Sequence, residues 1–190
     1  MNDIDALIGW LLEAPQGSCP VEDCGATALI SAISGTEVTA VMRARGPKEL
    51  TASEQQHLQA PGVTAGHERR GTLYAGSVPA AAVTAVLLPR RIPGTALQAL
   101  GTDADGTALG DGGVPLGRAL AGLGVRREPL EVLATPGQRD AAGREQVIWS
   151  AARLWLDHPV ALVTECFYQA FLDTYPGPWT VPHPRSRTAP

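Results

Sequence analysis

Lysine is all but missing from this chain. Lys48 stands alone, and arginine supplies every other positive side-chain charge, a bias that fits a GC-rich genome better than a mechanism. Aromatic residues are few, while Ala and Gly are abundant. Basic charge is short overall: the formal net charge of −4 argues against a broad nucleic-acid footprint. No run of about 18 apolar residues is present to cross a bilayer. The first five residues, Met1-Asn2-Asp3-Ile4-Asp5, are acidic where a secretory signal would be basic. The expectation is a soluble, cytoplasmic protein with no nucleic-acid or membrane partner.

The missing motifs are equally restrictive. The three cysteines, Cys19, Cys24 and Cys166, form no CxxC pair and no metal-ligand spacing. A Cys19–Cys24 disulfide is conceivable, although cytosolic thiols are usually reduced. The four histidines, His57, His67, His158 and His183, are scattered without an HxxxH pair and read as surface residues. There is no GxSxG elbow, P-loop or GxGxxG, which leaves hydrolase, P-loop nucleotide and dinucleotide sites without support. Asp103-Ala104-Asp105-Gly106 hints at a calcium loop, but its glycine comes too early and Val114 stands where the closing glutamate belongs. It reads as a solvated loop.

What is present suits a single domain over residues 1–175, followed by a Pro-rich, polar tail over 176–190 expected to be disordered. Ile4, Leu7, Ile8, Leu11 and Leu12 fall at helical spacing between Asp3 and Ala14, with Asp3 as N-cap. A second helix is expected over Ala26–Ser34, ended by Gly35. Val38–Met42 reads as a strand broken by Gly46-Pro47, and Thr51 with Glu54 has the spacing of a capping box. A hairpin is expected from Arg69–Ala75, through Gly76–Pro79, to Ala82–Leu88. Pro93–Ala99 and Pro115–Leu123 read as short helices, Thr102–Gly113 as a loop, Leu130–Ala134 as a strand and Thr135–Arg144 as a polar loop. Val147–Leu156 and Val160–Phe167 form a last hairpin around Asp157-His158-Pro159. Helices interspersed with hairpins predict an α+β fold on an antiparallel sheet.

Four segments carry a resemblance. Arg70 leads through Gly76 to Leu87-Leu88-Pro89. Pro115-Leu116-Gly117-Arg118 follows, then Arg127-Glu128-Pro129-Leu130-Glu131-Val132. Arg153-Leu154-Trp155-Leu156 runs into Thr164-Glu165. In this order, over about Ala26 to Phe167, the chain resembles the chorismate pyruvate-lyase family, which removes pyruvate from chorismate to leave 4-hydroxybenzoate. The resemblance implies a sheet of about six antiparallel strands with helices on one side and flap helices over an internal ligand cavity.

It also implies roles. Arg70 would pair with the ring carboxylate, since a guanidinium matches a carboxylate bidentately. The backbone of Leu116, with Gly117 beside it at the entry to a helix, would donate to the same carboxylate, as would a flap amide near Ala26. Glu165 would sit at the far end of the ring, assisting the leaving ether oxygen or accepting the ring proton. Arg70 and Glu165 are thus the implied catalytic pair. The reaction implied is carbon–oxygen lysis of chorismate or a close analogue, for secondary metabolism, with no metal or redox cofactor, by a monomer or weak homo-oligomer acting on a small carboxylate.

Three positions depart from the family pattern. Ala85 stands where a second arginine would bind the enolpyruvyl carboxylate, Ala26 replaces a flap methionine, and Gly71 replaces the acid after the strand arginine. A buried carboxylate without a cation is costly by several kcal/mol. Two alternatives therefore accompany the lyase: a cofactor-free enzyme cyclising or rearranging an apolar substrate, and a ligand-binding module without turnover. The latter is similar to UTRA-type effector domains of bacterial regulators, although no helix-turn-helix is visible in these 190 residues.

Overall fold

The computed structural model describes residues 3–12, 19–20, 25–109 and 113–177. Helix α1 (Asp3–Leu12) buries Leu7, Trp10 and Leu11 along one face. Helix α2 (Ala26–Ser34) buries Ala26, Leu29 and Ile30 and ends, as its sequence predicts, on Gly35 at φ 65°. The sheet consists of β1 (Cys19–Pro20), β2 (Val38–Glu49), β3 (Ala65–Ala75), β4 (Val78–Leu87), β5 (Arg126–Arg139), β6 (Glu145–Trp155) and β7 (Pro159–Tyr168). Their order is β1-β5-β6-β7-β4-β3-β2, with every pair antiparallel. Six long strands with helices packed against them bear out the α+β expectation, and the two-residue β1 adds a short seventh.

Strand alternation sorts the side chains. Register pairs Arg69 with Ala85, Ala85 with Val163, Val83 with Glu165, and Glu165 with Ser150, so all six share one face. Two apolar clusters lie on that face. One joins α1, α2 and α6 (Gln169–Thr174) to Leu73, Ile148 and Phe167. The other joins α4 (Gly94–Ala99) and the region after α5 (Leu116–Ala119) to Ala85, Leu154 and Val163. The opposite face carries a smaller cluster, Leu50, Leu58, Ala60, Val86 and Leu88, beside the short helix α3 (Ala52–His57).

Three local expectations change. Strand β2 runs on through Gly46-Pro47, which pair with Glu68 and His67. As an edge strand, β2 has one side without ladder partners, so a proline there need not break the pairing. The polar segment from Thr135 is not a loop, because β5 continues to Arg139 past an irregularity between Ala134 and Gln138. The helix expected over Pro115–Leu123 contracts to α5, with turns after it and Gly124 at φ 70°. The proposed Cys19–Cys24 bridge and most of the tail fall outside the described residues.

Candidate ligand-binding site

Between the two clusters lies a cavity of about 60 Å³. At roughly 10–15 Å³ per water it holds several waters or part of a small ligand. Ala26 closes it from α2; Leu73, Val83, Ala85, Leu154 and Val163 form its apolar floor; Val114 to Gly117 border it at the entry to α5. Arg69, Arg127 and Glu165 are the ionisable groups of the wall.

The arginine expected to face a ligand does not. Arg70 points to the other side of β3, with 60% of its side chain exposed, where Nε donates to Glu68 Oε2 at 2.6 Å. The preceding residue, Arg69, faces inward and is 2% exposed. The cause is the period of the strand: His67, Arg69, Gly71 and Leu73 share one face, and a one-residue slip in an alignment exchanges the faces. The Ala85 methyl lies directly across from Arg69. Arg69 Nη2 donates to Val114 O at 3.0 Å, tying the α5 entry to the sheet. Burial first, and the positive charge of Arg45 second, pull its pKa down to about 10.

Glu165 does face the cavity, but its oxygens are engaged. Oε2 accepts from Arg127 Nη2 at 3.0 Å and from Ser150 Oγ at 2.8 Å; Oε1 accepts from the Ala26 amide at 3.4 Å. That amide opens α2, where a carboxylate also meets the positive end of the helix. The Ala26 N–H expected to reach a ligand is thus directed to Glu165. Arg127, which opens one of the matching segments but was given no role in the site, crosses over β6 to reach this acid and is 2% exposed. Its signal was present within Arg127-Glu128-Pro129, but a strand arginine carries no mark of burial. Leu116 and Gly117 line the cavity through the first residues of α5.

Beside Arg69, His67 is fully buried rather than at the surface. Its Nδ1 lies 2.6 Å from Gly106 O and its Nε2 3.2 Å from Thr102 Oγ1. A carbonyl can only accept, so Nδ1 carries the proton and the Thr102 hydroxyl donates to Nε2. Burial lowers the imidazole pKa, against the opposing pull of the Gly106 carbonyl. Arg45 Nη1 holds Gly101 O at 3.1 Å and Leu109 O at 3.4 Å. Strands β2 and β3 therefore grip the connection between α4 and α5 at several carbonyls.

Among known proteins, no family model matches the chain. No curated protein matches it in sequence. Solved structures do match in shape. PhnF from Mycobacterium smegmatis superposes with a TM-score of 0.51 at 12% identity, over 73% of this chain and 61% of PhnF. The effector domain of PhnF, solved separately, gives 0.50 at 13% identity over 75% of this chain and 87% of that domain. The chain shares its fold with the effector domain of PhnF. A putative GntR-family transcriptional regulator gives 0.51 at 14% identity, over 80% of this chain and 63% of the regulator. The chain thus spans less than two-thirds of the length of PhnF and of this regulator.

These likenesses establish the fold, which the chorismate-lyase resemblance also implied, and they overturn the expectation of an enzyme. Among the structures that share this architecture are an effector domain and a putative transcriptional regulator. The local chemistry agrees with them. The acid that was to move a proton is held by three donors, and the arginine that was to pair with the ligand's ring carboxylate faces the opposite side of the sheet.

Proposed function

We propose that this chain is a non-catalytic domain that binds a small carboxylate-bearing effector in the cavity between the two clusters. The observation that supports this reading is a buried guanidinium, Arg69, on the wall of an otherwise largely apolar hollow. Burial and the Arg45 charge both disfavour its charged form, and an incoming carboxylate offsets that cost with charge-assisted hydrogen bonds. Few polar groups set in an apolar pocket are the usual makings of a small-molecule site. One fold hosts many functions, so the chemistry of the site carries this reading.

Titration calorimetry and thermal melting with benzoate and with the uncharged benzamide test it. Benzoate is expected to bind and to raise the melting temperature, by the equivalent of about 2.7 kcal/mol at a hundred times its dissociation constant. Benzamide is expected to do neither. Arg69→Met, which keeps the reach and removes the charge, is expected to abolish the difference. Absence of a stabilising response to benzoate and to other monocyclic and short-chain acids at millimolar concentration would defeat the proposal.

A further inference from the structure

Arg127 is buried yet incompletely satisfied. Nη2 has Glu165, and Nη1 reaches Leu11 O only at 3.5 Å. Nε has no acceptor among the described residues. A buried N–H in this state carries an unrecovered desolvation cost and calls for a partner. Trp10 Nε1 and Arg69 Nε share the lack, but Trp10 is not on the cavity wall and Arg69 already serves as the cation for the carboxylate, whereas Arg127 borders the cavity at a different strand. Because Glu165 already balances the charge on Arg127, what Nε wants is an acceptor rather than another counter-ion.

Position adds the second half of the argument. Arg69 is on β3 and Arg127 on β5, with β4, β7 and β6 between them. Four interstrand steps of roughly 4.8 Å set their backbones about 19 Å apart. Two long side chains from these strands border one hollow from opposite sides. A molecule placed between them would meet a cation at one end and an uncommitted donor at the other.

We propose that Arg127 is a specificity contact of this site. Its Nε–H donates to a neutral oxygen, a hydroxyl or a carbonyl, on the part of the ligand remote from the carboxylate. The ligand class is then a small monocarboxylic acid with an apolar body and an oxygen function at its far end. A second carboxylate there would lie against Glu165 and be repelled. The assignment rests on the ligand-binding reading of the cavity given above.

The test is a calorimetric panel of benzoate, 3-hydroxybenzoate, 4-hydroxybenzoate and 4-formylbenzoate, together with hexanoate and 6-hydroxyhexanoate. On the native protein at least one oxygen-bearing acid is expected to bind about ten- to a hundredfold tighter than its parent, the range of a hydrogen bond from a charged donor. Arg127→Lys keeps a cation opposite Glu165 but removes Nε, and is expected to bring that ratio to within about twofold of one. If acids bind but no distal oxygen helps, a trapped water serves Nε, and this inference falls while the cavity's ligand-binding reading stands. Retention of the preference in a folded Arg127→Lys protein overturns it too. If no acid binds at all, both readings fall. The native panel requires no variant, so a misfolded Arg127→Lys protein does not rescue the proposal.

Discussion

At the scale of single residues, two arginines differ sharply in what their loss should do. Arg127→Met leaves Glu165 buried without its cation, and such losses cost about 3–5 kcal/mol. Chemical denaturation should therefore show a large fall in midpoint, part of which the double variant Arg127→Met/Glu165→Met should regain. Arg70→Ala removes an exposed pair and should change stability by no more than about 0.5 kcal/mol. A large loss in that variant would contradict its outward placement. Which of two adjacent arginines turns inward was not legible from the residues alone. Arg69 and Arg70 are chemically identical, and only the ladder with β4 fixes which parity meets Ala85 and the hollow. Glu165 could be singled out because it follows Thr164 in a recognisable segment of the last hairpin. Arg127 could not, because its role depends on reaching across β6 to a residue 38 positions away.

At the scale of elements, local rules held best where the signal was local. The capping box of Thr51 and Glu54 and the αL glycine after α2 both lie where short-range chemistry predicts. Strand ends held least well, because pairing decides them: β2 passes its Gly-Pro pair, and β5 passes its polar stretch. Gly71 marks one place where pairing restricts side-chain size. A methyl group there would sit 2.6 Å from Val41 O and 3.0 Å from Met42 Sδ. The carbonyl is backbone and cannot swing aside, so Gly71→Ala should destabilise the β2–β3 pair by about 1–3 kcal/mol. Denaturant midpoints would register this, and an unchanged midpoint would mean that the strands separate more easily than their register suggests.

At the scale of the whole molecule, the connection between α4 and α5 is attached to the sheet by buried polar side chains, and one of them titrates. Burial lowers the folded-state pKa of His67 below its ordinary 6.5. The unfolded chain thus binds a proton more readily than the native one. The stabilisation from neutral His67 is full above about pH 6.5 and is lost as pH falls through the lower folded value. Thermal melts between pH 7.5 and 5 should show this decline, and His67→Gln should flatten it. A variant that keeps the full slope would transfer the effect to another group. The architecture itself was readable because helices and hairpins alternate without strand–helix–strand order, whereas activity was not, since the segments that carry the resemblance to a lyase also suit a binding domain.

One contact ties interior to exterior. The guanidinium assigned to the effector also grips the carbonyl of Val114, one residue before the proline that leads into α5. An arriving anion would draw on the same planar group, so the bond that seats this connector and the bond that holds the guest share one donor set. On the proposed ligand-binding reading, filling the hollow would compete with the bond that seats Val114, itself on the cavity wall, and so would couple occupancy to the position of the α5 entry.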